Sequence, residues 1–378
     1  MTSHRASVRR SLTLLLMLIA TAPAAVGMGK VASAATTGPA AASSPVLPPG
    51  FTATKLAGGL KDPIAVTFAP TGEMWVATQP GGIYRMSNGS LQTVAALPVD
   101  FTAELGLMGL TFDPSYASNG FIYVSYVTTR AFSRLSRFTV ANGTANLSSE
   151  KVLVEGTQQQ TQFGPGEAVH VGPDGKLWWS VGSNPYPWGN GQALTNIYGK
   201  VIRLNLDGTA PSDDPFTGVP GAATGIYAWG LRNPWRTTFL PNGKMMVANT
   251  GESTWEMLDT IEPGGNYGWP FYEGNCGSCG YVNPVYSYGH LPADGAISAI
   301  AAYTGNKFPN AYDHVVFVGD YNRRDIHAVT FDPTYQTEVS DNVFASNVGT
   351  IADLTEGPDG NLYYVGVFEG NVWKIAAT

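Results

Sequence analysis

One pattern of apolar and polar positions returns six times along the chain: an apolar residue, one or two small residues, Pro, a turn, then a run of β-branched or aromatic residues. It reads Phe68-Ala69-Pro70-Thr71-Gly72 before Met74-Trp75-Val76, and Phe112-Asp113-Pro114 before Gly120-Phe121-Ile122-Tyr123-Val124. Val171-Gly172-Pro173-Asp174-Gly175 and Phe239-Leu240-Pro241-Asn242-Gly243 repeat it, Phe308-Pro309 before Val315-Val316-Phe317 is looser, and Gly357-Pro358-Asp359-Gly360 before Leu362-Tyr363-Tyr364 is the last. Each copy has the chemistry of a β-hairpin: Pro fixes φ and blocks further pairing, Asp-Gly or Asn-Gly supplies positive φ, and alternating apolar residues resume the strand. The copies lie about 45 to 70 residues apart, the length of a four-stranded unit with an occasional long loop. Six copies predict an all-β, six-bladed β-propeller of four-stranded antiparallel blades around a central channel. A β-sandwich would not repeat one hairpin phrase six times. In a propeller the small-molecule site is built from inter-blade loops at a channel mouth, so function is expected in the long loops.

The first residues carry His4, Arg5, Arg9 and Arg10, then an apolar run from Leu12 to about Ala25 and the small residues Val31-Ala32-Ser33-Ala34. This is the pattern of a signal peptide over 1–34, cut after Ala34, with Arg9-Arg10 offering a twin-arginine variant. Residues 35–49, rich in Ala, Ser, Thr and Pro, read as a flexible leader, and 50–378 as the propeller. An exported protein with no membrane span is expected. A net charge of -7 with 13% charged residues leaves no basic block to neutralise phosphates, which excludes a nucleic-acid partner and favours a small polar ligand. The two cysteines, Cys276 and Cys279, read as one short-loop disulfide, since a zinc site would need two further ligands that this loop lacks.

Three longer segments go beyond hairpin grammar. They are Glu104-Leu105-Gly106-Leu107-Met108-Gly109-Leu110-Thr111-Phe112-Asp113-Pro114, Tyr198-Gly199-Lys200-Val201-Ile202-Arg203-Leu204-Asn205-Leu206-Asp207-Gly208, and Ala228-Trp229-Gly230-Leu231-Arg232-Asn233-Pro234 with Gly264-Gly265-Asn266-Tyr267-Gly268-Trp269-Pro270. In order and spacing the chain resembles the soluble quinoprotein glucose/sorbosone dehydrogenases from about Leu47 to Ile375. That resemblance implies pyrroloquinoline quinone (PQQ) and Ca²⁺ at the channel mouth and oxidation of a sugar hydroxyl, with electrons passed on to an external acceptor. It assigns Arg232, Asn233 and Glu104 to the quinone and Gly251 and Glu252 to Ca²⁺. Against the family's HxxGxLxxGPDG phrase, however, the general-base His falls on Gly164, and its orienting Asp falls on Ser183. The family's quinone-binding Lys falls near Asn322, and two expected arginines fall near Thr350 and Ala352. The catalytic base is therefore unassigned. The leading expectation is an exported PQQ-type sugar dehydrogenase, and the alternative is a catalytically lapsed propeller that binds a carbohydrate or similar ligand. A propeller lactonase would need a Glu, Asp and Asn cluster around one Ca²⁺, which the sequence does not display.

Among the other candidates, His170 lies between Val169 and Val171 and reads as a hydrogen-bonded structural histidine. His290 is open between reaching the mouth and being solvated, and His314 and His327 read as surface residues. Asp320-Tyr321-Asn322-Arg323-Arg324-Asp325, the most polar loop, reads either as a site for an anionic ligand held by bidentate arginines or, the favoured reading, as a set of surface ion pairs. Tyr186 and Trp188 suit stacking on a sugar ring, although packing within the loop is the commoner fate. Arg232 has two roles open at equal weight: a fork for a ligand's oxygens, or a tie between blades.

Overall fold

The computed structural model describes residues 44–184, 188–292 and 294–378; the expected signal peptide and most of the leader lie outside them. Within them the chain forms six antiparallel four-stranded sheets. The innermost strands are Pro63–Phe68, Leu107–Phe112, Gly166–Val171, Pro234–Phe239, Ile297–Ala302 and Ile351–Glu356, for blades 1 to 6. Each touches the next, and the sixth touches the first, which closes the ring. The architecture is the six-bladed propeller that the repeat predicts. Pro70, Pro114, Pro173, Pro241, Pro309 and Pro358 all fall in the turn between the first and second strands of their blades, where a missing N–H costs no ladder bond.

The ring is fastened by strand exchange between the two ends of the domain. The first strand, Phe51–Ala57, pairs antiparallel with the last, Asn371–Ala377, and becomes the outer strand of blade 6. Just before it, Val46 bridges to Ser346 on the outer strand of blade 5. Between blades, large side chains interlock: Trp75 and Trp179 are fully buried, and Trp75 meets Phe112 of the next blade edge to face at 5.1 Å. Truncating either to Ala would cost about 3–5 kcal/mol.

All six innermost strands share one irregularity. The register shifts near the start of each, between Pro63 and Ala65, Leu107 and Gly109, Gly166 and Val169, Pro234 and Arg236, Ile297 and Ala299, and Ile351 and Asp353. Such bulges bend a strand and re-aim its side chains. Here they lie at the mouth where the innermost strands begin, called the upper mouth below; the Pro turns crowd the lower one. The bulge of blade 3 holds Glu167 at φ +81°, where a side chain is strained.

Candidate functional site

The upper mouth is a cavity of about 350 Å³. Its floor is made by the first residues of the innermost strands, among them Ile64, Trp235, Ile297 and Ala352, and its rim by loop residues Gln79, Glu104, Phe163, Asn233, Tyr321 and Phe368. Pro234 turns the chain immediately after Asn233, which sets that side chain at the strand's start, against the cavity.

Glu104 is the one ionisable carboxylate of the wall. Gln79 positions its loop, donating from Nε2 to the carbonyls of Ala103 at 2.8 Å and Leu105 at 2.9 Å. The Glu104 Oε2 accepts the N–H of Gly164 at 2.7 Å, while Oε1 has no hydrogen bond among the described residues. Burial raises the carboxyl's pKa; the Gly164 N–H and then the Arg232 charge pull it down again. Gly164 has φ +70°, and a Cβ built on it would come no nearer than 3.8 Å to the Asn233 side chain. The position aligned with the family's base is thus an open notch flanked by Glu104 and Asn233. Asn233 is 3% exposed and its Oδ1 is without a hydrogen-bond partner. A buried amide left so is costly unless a ligand or water completes it.

Arg232, by contrast, is turned away from the cavity. Its Nε and Nη2 donate to Glu252 Oε2 at 3.0 and 2.5 Å, and Nη1 donates to the Thr250 carbonyl at 3.3 Å. The neighbouring carbonyl-bearing segment is thereby tied to its blade. Gly251 and Glu252, assigned by resemblance to Ca²⁺, sit beside Thr250 on this rim, and among the described residues no group of three acidic or soft side chains converges there. The expected cations of the mouth are absent from it: Thr350 hydrogen-bonds Glu369 at 2.7 Å, and Ala352 is floor. Asn322 donates its backbone N–H to Asp320 at 2.9 Å. Arg323 donates to the Gly289 carbonyl at 2.7 Å and lies 3.8 Å from Asp320; this is not the surface pair expected, because Asp320 is buried and also accepts the Tyr288 hydroxyl and the Ala296 N–H. Ser183 is buried, its N–H on the Arg232 carbonyl at 2.7 Å.

The histidines are placed differently from the sequence expectation in three cases. The His170 side chain makes no hydrogen bond among the described residues and lines the lower channel; alternation correctly turned it away from the valines, but that face is the channel and offers no backbone partner. His290 is 2.5 Å from the fully buried Glu256, behind the upper cavity's wall rather than in solvent. Burial and then the Asp320 charge push the Glu256 carboxyl up to about 8, against the Ile297 N–H. His327 is clamped between Asp341 at 2.6 Å and Asp325 at 3.5 Å and is more than a surface residue. His314 packs edge to face on Tyr335 at 5.8 Å. Cys276 and Cys279 form a disulfide. Tyr186 lies outside the described residues. Trp235 of the floor and Tyr321 and Phe368 of the rim, the aromatic lining, were missed by sequence reasoning; the signal for Trp235 was its place directly after Arg-Asn-Pro.

A six-bladed propeller with a small, polar-notched cavity at one channel mouth is the frame of a small-molecule protein. The glucose/sorbosone dehydrogenase family model matches residues 60–372, and the chain belongs to that family. It is 27% identical to quinoprotein glucose dehydrogenase B of Acinetobacter calcoaceticus, over 81% of this chain and 83% of that one. It is 26% identical to an aldose sugar dehydrogenase of Escherichia coli, over 80% and 86%. Among solved structures, the PQQ-bound aldose sugar dehydrogenase of Streptomyces coelicolor has the same fold, with a TM-score of 0.75, 20% identity, and coverage of 88% of this chain and 100% of that one. The family and these relatives are sugar oxidoreductases, which places the chain among enzymes, and the relatives' names support PQQ as the family's cofactor. Among the described residues no helix is long and apolar enough to cross a membrane.

Proposed function

We propose that the protein is an exported sugar oxidoreductase in which the upper mouth holds an aldose and Glu104 receives the proton of the hydroxyl being oxidised. One observation carries this reading: a carboxylate fixed by one oxygen and free at the other, beside an unpartnered buried amide, faces a cavity of monosaccharide size. Asn233 would accept or donate to a sugar hydroxyl, and the aromatic walls suit the apolar face of a pyranose ring. A carboxyl whose pKa is raised by burial is a better proton acceptor than one in water, and Glu104 stands where the missing histidine would otherwise reach.

Oxidation also needs an acceptor for hydride, and the proposal requires a two-electron organic acceptor that the protein carries as isolated, which takes the hydride from the carbinol carbon while Glu104 takes the hydroxyl proton. PQQ is a flat quinone bearing three carboxylates, and the residues at this mouth do not fit it: no cation lines the cavity, its one carboxyl group is itself an acid, and Arg232 is neutralised by Glu252. No step is therefore derived through the quinone. The PQQ and Ca²⁺ reading rests on the relatives, and binding without oxidation is the remaining alternative. One experiment separates them. The secreted protein is titrated with aldoses by Trp235 fluorescence and then assayed for dye reduction, as isolated and after addition of PQQ and Ca²⁺. Activity as isolated that is lost in Glu104→Gln supports the proposal. Activity gained only with PQQ and Ca²⁺ supports the quinoprotein reading, aldose binding without dye reduction supports the binder, and no aldose binding at all overturns the sugar reading.

A further inference from the structure

The channel is not one space. Halfway down, the fully buried Arg236 lies 3.3 Å from Asp353 and donates to the carbonyls of Trp235 at 2.9 Å and Ile64 at 2.5 Å. This layer separates the upper cavity from a second one of about 420 Å³ at the lower mouth.

We propose that the lower mouth is a separate binding site for a neutral, hydroxyl-bearing molecule of monosaccharide size, recognised by Thr67, His170 and Thr237 from three different blades. All three line the cavity, and none has a side-chain hydrogen bond among the described residues. Thr237 is the most telling, being 4% exposed with an Oγ1 that meets no partner. A buried hydroxyl without a partner is costly, and because its oxygen is closed to solvent it meets a ligand through a turn of the Thr237 side chain toward the cavity. His170 brings one N–H and one acceptor nitrogen, because burial and then the nearby Arg236 charge push its pKa down to about 4 and hold the ring neutral.

Charge on the lining decides the ligand's class. Arg236 and Asp353 form an ion pair behind the cavity, in which Val66 N–H donates to Asp353 at 2.9 Å and Arg236 Nε faces Asp353 without a formed hydrogen bond. Glu356, at the outer edge, is occupied by the Thr304 N–H at 2.7 Å and hydroxyl at 3.0 Å. What remains free is the Thr67 and Thr237 hydroxyls, the neutral His170 ring and Glu356 Oε1, whose Oε2 alone is occupied; this set matches hydroxyl groups and offers no cation to an anion. This site does not depend on the assignment of the upper mouth.

The probe is D-glucose, with glycerol as a smaller companion, added to the secreted protein while the His170 ring signals are followed by NMR. Saturable shifts are expected in the wild type and in Asn233→Leu, which alters only the upper cavity. Thr237→Val, nearly the same shape, should weaken that response at least fivefold while leaving the upper-mouth fluorescence response intact. A second measurement is the crystal structure of the sugar-soaked protein, expected to show the sugar on Thr237 and His170. Ordered water alone at the lower mouth, ring signals that do not move, or equal shifts in Thr237→Val would each overturn the proposal.

Discussion

Arg236→Met tests whether the layer dividing the channel holds the ring together. Arg236 is 3% exposed and Asp353 9%, and burial drives both against their charge, the Asp353 carboxyl up and the Arg236 guanidinium down. Such a pair adds little over an apolar one, but removing a single partner strands a buried charge and costs about 3–5 kcal/mol. Arg236 also takes up the carbonyls of Ile64 and Trp235, which Met would leave bare, so the upper part of that range is expected. For roughly 330 ordered residues the unfolding entropy is about 0.7 kcal/mol per kelvin, so the melting temperature should fall by about 6–7 °C. Arg236→Met combined with Asp353→Leu should recover more than half of that loss, because no charge then remains unpaired. The assay is calorimetric melting of wild type, both single variants and the double, at one scan rate. A single variant melting within 1 °C of wild type, or a double variant losing as much as the two singles added, would refute the reasoning.

Glu167 is fully buried, and burial lifts its pKa to about 8 against the hydroxyls of Ser133 and Ser125. An acid whose folded pKa lies above its unfolded value binds its proton more tightly when folded, so stability falls as pH rises from about 4.5 to about 8. Glu167→Gln should flatten that slope and melt higher than wild type at pH 9; parallel curves from pH 5 to 9 would contradict it. His327 is pushed up to about 9: burial opposes its charge, but the Asp325 and Asp341 hydrogen bonds outweigh it. Its contribution is full below about 6.5 and lost as pH rises through 9, so His327→Asn should be destabilised at pH 6 and near wild type at pH 10, as melting at the two values would show. Arg232→Met removes a half-exposed ion pair and should change stability by no more than about 1 kcal/mol in denaturant titration; a larger loss would make Arg232 a structural clamp.

How far the sequence reveals this molecule depends on the range of the interaction. The hairpin turns were legible because Pro and Gly act on their own backbone, and six prolines in six equivalent turns are one local rule repeated. The closure of blade 6 by Phe51–Ala57 was not, since its partner lies more than three hundred residues away and any edge strand of similar alternation would read the same. The upper cavity has the same difficulty: Glu104 touches the backbone of Gly164, Gly164 opens toward Asn233, and Ala352 meets them from blade 6. Alignment with the family located Gly164 and Asn233 but could not say what fills the space left by a missing side chain. That is a question of where Glu104 points, which Gln79 decides by gripping the carbonyls on both sides of it. His170 marks the same boundary from the other side. Its alternation with Val169 and Val171 fixes which way it faces, but whether that face meets a partner or an open channel depends on the bulges that set the ring's inner diameter. In this chain one departure from the family's residue pattern, Gly164, lies beside an unpartnered polar atom, the Asn233 Oδ1. Substituting His at Gly164, strained at φ +70° but sterically open, should therefore bring an imidazole against Asn233 and displace the sugar response of the upper mouth. A titration unchanged by that substitution would mean that the ligand binds elsewhere.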